Sequence, residues 1–173
     1  MSRFEINTER LVLKPQGTEY LDSTNEYALN LDNTKYMMYL PNDNPSETML
    51  FLQNVEAEWS KEEPLFYEFA VIFKKKHIGG VSAYLENGVA EIGWIIHQKY
   101  WRKGFAYEAA KALIDYFSEN LGITHFMAHC DAENIGSFKL MEKLGMVKTG
   151  ENNGRKNRSS KKESLEYQYE LKL

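Results

Sequence analysis

The residues with the clearest chemical potential lie in the run Glu91-Ile-Gly-Trp-Ile-Ile-His-Gln-Lys-Tyr-Trp-Arg-Lys-Gly-Phe-Ala-Tyr-Glu-Ala. It reads as a strand that passes through a short loop directly into a helix. The first turn of a helix leaves backbone N–H groups without intrahelical acceptors, and the helix dipole puts partial positive charge at the same place. Such a junction binds anions, and pyrophosphate can fill that role. Gly104 has no side chain to obstruct a phosphate, Ala106 keeps the next turn open, and Arg102 and Lys103 add charge at the rim. The patterns Gly-x-x-x-x-Gly-Lys-Ser/Thr and Gly-x-Gly-x-x-Gly do not occur, which ranks a nucleotide-binding domain last.

The elements that must hold this junction follow from periodicity. Arg10 to Pro15 reads as a first strand, since Leu11 and Leu13 alternate with Val12 and Lys14. Helical stretches follow at about Thr18 to Leu31 and from Pro45-Ser46, the second placing Leu52, Val55 and Trp59 at helical spacing. Strands Phe66 to Phe73, His77 to Leu85 and Val89 to His97 form an antiparallel meander, with Asn87-Gly88 as a turn pair. From Gly104 to Asn120 the residues Ala106, Ala109, Ala110, Leu113 and Phe117 share one helical face, and Gly122 ends it. A strand from His125 to Cys130, a short helix from Asn134 to Leu144 and a strand starting at Met146 come next. Gly150 to Glu163 lacks periodicity and reads as a mobile loop, after which Leu165, Tyr167, Tyr169 and Leu171 alternate as a half-buried strand does.

The chain has 173 residues, 43% of them hydrophobic and 27% charged, which predicts one globular domain, 1–173. A net charge of −4 argues against bulk nucleic-acid binding. No long apolar run suggests a secretory signal or a membrane span, so the cytoplasm is the expected compartment. Cys130 stands alone, so no internal disulfide forms and no cysteine cluster holds a metal.

Trp101-Arg-Lys-Gly-Phe-Ala106 resembles the acyl-CoA loop of the GCN5-related N-acetyltransferases, whose pattern is Gln/Arg, any two, Gly, any, Gly/Ala. Trp101 departs from the first position in the manner of the ribosomal-protein N-acetyltransferase branch, where Tyr-Trp commonly precedes the loop, and Arg102 stands where that branch usually has glycine. Arg10-Leu-Val-Leu, Ile78-Gly-Gly-Val, Ala90-Glu-Ile-Gly-Trp and Asn134-Ile-Gly-Ser-Phe-Lys-Leu-Met-Glu-Lys-Leu-Gly-Met resemble further motifs of the branch, in family order.

This resemblance implies an α/β fold: a twisted, mixed, mostly antiparallel sheet of six or seven strands flanked by about four helices. Its fourth and fifth strands splay, and the gap takes the pantetheine arm as an added strand would. The implied reaction is acetyl transfer from acetyl-CoA to a primary amine, with no metal. The acceptor could be a protein N-terminus, as in the ribosomal-protein enzymes, or a polyamine, amino acid or amine drug. A homodimer is common in the branch. The alternative is a non-catalytic acyl-CoA-binding or sensing module.

The implied cofactor-binding residues are Ile95 and Ile96 on the fourth strand, Arg102, Lys103, Gly104, Phe105 and Ala106 in the cradle, and Asn134 and Ser137 at the following helix. An ammonium must lose its proton before it can attack a thioester. Glu91 is the first candidate acceptor, with an ion-paired strand carboxylate as the plain alternative. Ser137 is the candidate donor to the leaving thiolate, and Asn134 would cap the helix and reach the pantetheine chain. His97 and His129 are secondary base candidates. Tyr36, Met37, Met38 and Tyr39 could wall the acceptor pocket or form a core cluster, and Tyr100 and Trp101 could line the channel or pack between sheet and helix. The basic run Arg155, Lys156, Arg158, Lys161 and Lys162 reads first as a solvated loop and second as a steering surface.

Overall fold

Alternating apolar residues build one eight-stranded sheet in the computed structural model of the chain, which describes residues 4–173. The strands are β1 (Ile6–Asn7), β2 (Leu11–Pro15), β3 (Phe66–Phe73), β4 (Lys76–Glu86), β5 (Val89–Ile96), β6 (His125–Asp131), β7 (Val147–Arg155) and β8 (Ser164–Lys172). They lie in the order β1-β2-β3-β4-β5-β6-β8-β7. Helices α1 (Leu21–Ala28), α2 (Pro45–Trp59), α3 (Phe105–Leu121) and α4 (Ile135–Lys143) flank the sheet. Every neighbouring pair is antiparallel except β5 and β6, which are joined through α3 and run parallel.

The core lies between one sheet face and α3. Residues Phe105, Ala109, Leu113 and Phe117 recur at helical spacing and bury against Tyr67, Phe69, Val81 and Ile92, among others. Phe117 is fully buried, so truncating it to alanine would cost roughly 3–5 kcal/mol. Gly122 closes the helix in the left-handed conformation, and the Asn87-Gly88 turn has both residues at positive φ, as a tight hairpin requires. The opposite sheet face carries a smaller apolar group under α1 and α2, including Tyr27, Ala28, Leu52 and Val55.

Three expectations change. The sheet has eight strands because Ile6–Asn7 pairs with Val12 and Leu13, a contact too short for alternation to reveal. The first helical stretch divides into a 3-10 turn at Thr18–Tyr20 and a shorter α1. The expected loop from Gly150 to Glu163 is a strand as far as Arg155, because β8 supplies a pairing partner that overrides local composition. Irregularities in register between Lys148 and Gly150 and between Asn152 and Arg155 absorb the glycine-rich sequence.

Candidate active site

The head of α3 carries the anion cradle. Arg102 (φ 61°) and Gly104 (φ 80°) are both left-handed, and this alternation turns successive amides toward one concavity. The N–H groups of Arg102 through Tyr107 donate to no acceptor among the described residues; the ladder starts with Glu108 N–H on the Gly104 carbonyl. The left-handed backbone at residue 102 accounts for glycine there in related loops, since other residues enter it at about 1–2 kcal/mol.

Arg10 fixes this cradle from β2, a role that sequence reading missed. Its Nη1 donates to the Lys103 carbonyl at 2.9 Å, its Nε to Glu108 Oε1 at 2.8 Å, and its guanidinium lies 4.4 Å from the Phe105 ring centroid. Glu108 also accepts from the Thr8 hydroxyl and the Arg10 amide. A groove of about 730 Å³ leads from here along α3, with Arg10, Lys103, Tyr107 and Lys143 in its walls. The only sequence signal was the Arg10-Leu-Val-Leu motif, which gives no hint of a partner 98 residues away.

Beside the cradle the sheet opens. β5 and β6 pair only at Val89–His125, Ala90–Phe126 and Glu91–Met127, and they part beyond Glu91. The His97 amide bonds to the Ile78 carbonyl on β4, so by alternation the polar groups of Ile95 and Gly93 also face β4, whereas those of Trp94 face the gap. Trp94 is therefore a gap-facing residue that the motif match did not single out. The Ile96 carbonyl, also on that side, already accepts from Trp101 Nε1 at 2.7 Å and Asn33 Nδ2 at 3.1 Å, and its side chain is buried in the core. Trp101 thus pins the loop to the end of β5, while Tyr100 packs near Phe73 and Phe105.

Glu91 and His129 meet where the strands part. Glu91 Oε1 stands 2.6 Å from His129 Nδ1, with side chains 50% and 23% exposed, open enough to exchange protons with a ligand. The His129 hydrogen bond holds the Glu91 carboxyl below its ordinary value, and that same bond raises the imidazole. His129 Nε2 lies 3.2 Å from Gln168 Oε1, while the Gln168 amide nitrogen donates to Thr149. Both ring nitrogens therefore face acceptors, an environment made for the protonated ring. His97 instead accepts from the Lys99 amide through Nδ1 and caps a short turn.

Asn134 caps α4 through Oδ1, 3.3 Å from the Ser137 amide, which brings the two predicted residues together. The Ser137 hydroxyl is partly exposed and has no partner among the described residues.

Over the other face, the α1–α2 connection is clasped from two sides. Asn33 ties it to β5 through the Ile96 carbonyl and the Gln98 amide. From the β7–β8 hairpin, Arg155 Nη2 donates to the Tyr36 carbonyl and the Arg158 amide to that of Met37. Tyr36 and Met37 are partly buried and Met38 and Tyr39 exposed, so these four are not a core cluster. The basic run is not uniformly solvated either: Arg155 is 7% exposed and paired with Glu166, and Arg158 bridges to Asp43 and Glu47. Lys156, Lys161 and Lys162 remain exposed, as expected.

A sheet parted at its parallel β5–β6 pair, with a helix head of unpartnered amides beside the opening, is the framework of the site. The acetyltransferase (GNAT) domain family matches residues 10–147, and the chain belongs to that family of acetyl-CoA-dependent N-acetyltransferases. Among curated relatives, the uncharacterized N-acetyltransferase p20 of Bacillus licheniformis is 33% identical over 150 residues, 84% of this chain and 83% of its own. YnaD of Bacillus subtilis, also an uncharacterized N-acetyltransferase, is 29% identical over 150 residues, covering 84% of each chain. A solved GNAT-family acetyltransferase from Bacillus anthracis superposes with a TM-score of 0.82 at 26% identity over 98% of both chains. The fold also matches RimL, a ribosomal L7/L12 alpha-N-protein acetyltransferase solved with coenzyme A, with a TM-score of 0.81 at 14% identity over 95% of this chain and 97% of that one. No helix among the described residues is long and apolar enough to cross a membrane.

Proposed function

We propose that the chain transfers acetyl from acetyl-CoA directly to a primary amine in the β5–β6 gap, either a small molecule or a protein N-terminus. The observation that carries this reading is the run of unpartnered amides from Arg102 to Tyr107 opening beside that gap. These amides, with Gly104 and Ala106 leaving room and Arg102 and Lys103 at the rim, hold the diphosphate. The Trp94 backbone and the Ile95 side chain line the path of the pantetheine arm, with Ile96 closing its end. Asn134 reaches the same arm from α4.

His129 and Glu91 manage the proton. The neutral imidazole, its Nδ1–H directed at Glu91, takes a proton from the incoming ammonium at Nε2, and the Glu91 carboxylate and Gln168 Oε1 stabilise the imidazolium that forms. Raising the imidazole pKa brings it closer to that of an amine, so the transfer is less uphill. The freed amine attacks the thioester carbonyl carbon; the C–S bond then breaks, and the Ser137 hydroxyl donates a hydrogen bond to the departing thiolate. A sensing module would need neither a proton acceptor nor a hydrogen-bond donor to the leaving thiolate. Release of free thiol from acetyl-CoA across an amine panel, with products identified by mass spectrometry, tests the reading. Tight coenzyme binding without turnover on any amine would sink it.

A further inference from the structure

Glu68 of β3 is not used in the scheme above, and its surroundings are unusual for a carboxylate. Among the described residues it has neither a hydrogen-bond donor nor a cation as partner, and loss of surrounding water pushes its pKa up to about 8. Its side chain leans across β4 over Gly80, where an added Cβ would come 2.7 Å from Oε1. Ser82 stands opposite Glu68, and Gly93 opposite Ser82, so one cross-strand row leads from Glu68 to the rim of the gap. That row carries only small groups. A Cβ at Gly93 would already stand 3.4 Å from the Ser82 hydroxyl. The next row along this face holds Tyr84 and Glu91.

The inner side of Glu68 is closed by groups that cannot neutralise it. Tyr27 is a buried phenol whose pKa is raised by burial and by the Glu68 charge. The His77 ring is engaged by the Ser23 hydroxyl and the Gly79 carbonyl, and burial holds its pKa down to about 4. An ionised Glu68 thus has no counterion among the described residues, at the end of a row of small groups that leads toward the β5–β6 gap.

We propose that the acceptor is a short aliphatic diamine or polyamine, one nitrogen reacting in the β5–β6 gap while a second, still protonated, pairs with Glu68. This rests on the acetyl-transfer reading and narrows its substrate class. β3 and β5 are two interstrand spacings apart, roughly 10 Å, and the Glu68 carboxylate leaning over β4 shortens this to a span that a short diamine covers and a monoamine does not. Pairing also ionises Glu68, so binding near neutral pH releases a proton. Tyr27 and His77 titrate too far from neutrality to supply it.

Calorimetry on the CoA-bound protein, with putrescine and butylamine in buffers of different ionisation enthalpy, tests this without requiring turnover. The expected result is putrescine binding about tenfold tighter than butylamine, with proton release on binding. Glu68→Gln should erase both the preference and the proton release and leave butylamine affinity unchanged. Near neutral pH that substitution replaces a protonated carboxyl with a neutral amide of the same shape, so thermal melting should show a protein about as stable. Equal affinities, absent putrescine binding, or a preference that survives Glu68→Gln would each overturn the proposal. So would a peptide with a free N-terminus that binds tighter than putrescine and is indifferent to the substitution. Diamine binding that depends on Glu68 but yields no thiol from acetyl-CoA would instead overturn the acetyl-transfer reading alone.

Discussion

Glu91 Oε1 lies 2.6 Å from His129 Nδ1, joining the last β5 residue that pairs with β6 to a β6 residue two positions beyond its partner Met127. Removing that carboxylate takes away the interaction that raises the imidazole pKa. If the neutral ring is the base, kcat/KM rises with pH through the His129 pKa. Glu91→Gln should then move that ascending limb to lower pH while reducing the plateau. His129→Gln should lower the plateau by roughly 10²–10⁴-fold and remove the limb. A Glu91→Gln profile superimposable on the parent would exclude the pairing from catalysis.

The same pair makes stability depend on pH. The raised histidine contributes stability that is complete below its unfolded pKa and is lost as pH climbs through the folded one. The lowered carboxylate contributes stability present above its unfolded pKa and lost as pH falls through the folded one. Both contributions are therefore fully present between about pH 4.5 and 6.5, the ordinary values of the two groups. Thermal unfolding of the double variant Glu91→Gln/His129→Gln should show its largest deficit there and converge on the parent toward either extreme. Glu91 is half exposed, so solvent screening keeps the deficit small.

Ser137 separates chemistry from binding. Its hydroxyl has no partner among the described residues, so Ser137→Ala leaves α4 and the Asn134 cap intact, since that cap uses the Ser137 amide. We expect turnover to fall about tenfold or more with an unchanged dissociation constant for CoA, measured by calorimetry. A loss of CoA affinity matching the loss of rate would make Ser137 a binding residue instead.

What the sequence disclosed follows from locality. The strand-loop-helix at Glu91 to Ala109 and the Asn134 cap were legible because each lies within a few consecutive residues. Side-chain periodicity likewise marked α3 and most of the sheet. Pairings over long separations left no such trace: Arg10 with Lys103, Asn33 with Ile96, and Arg155 with Glu166 and Tyr36. Glu68 was hidden for a related reason. In the run Phe66 to Phe73 it looks like the solvent-facing member of an alternating strand, and only the cover provided by α1 makes its carboxylate costly.

Arg102 and Arg10 distinguish backbone from side chain in the cradle. Arg102 occupies a left-handed position, so Arg102→Gly relieves strain and preserves the amide array. CoA affinity should fall by no more than about threefold, the share of one screened rim charge. Arg10→Ala removes the donor to the Lys103 carbonyl and leaves Glu108 without its cation, which loosens the amides proposed to hold the phosphates. Affinity there should drop about tenfold, a loss comparable to one hydrogen bond between charged and neutral groups. Calorimetry on both variants decides the matter, and the reverse order of effects would show that the arginine side chain at residue 102, rather than the peptide array, supplies the binding.

Arg155 provides the last separation, between charge that holds the fold and charge that only coats it. Its guanidinium is 7% exposed, pairs with Glu166 at 2.7 Å, and donates to Asn157 and the Tyr36 carbonyl. Asn157 in turn donates to buried Asp131 at the end of β6, so one cation ties the β7–β8 hairpin, the α1–α2 connection and β6 together. Arg155→Ala strands the Glu166 carboxylate and should destabilise by roughly 3–5 kcal/mol in urea unfolding, the usual result of breaking a buried pair. Neutralising Lys156, Lys161 and Lys162 together should shift the midpoint by little, because exposed charges contribute well under about 1 kcal/mol each. Should the triple lysine variant unfold as readily as Arg155→Ala, the hairpin would be held by its net charge and not by this one buried arginine.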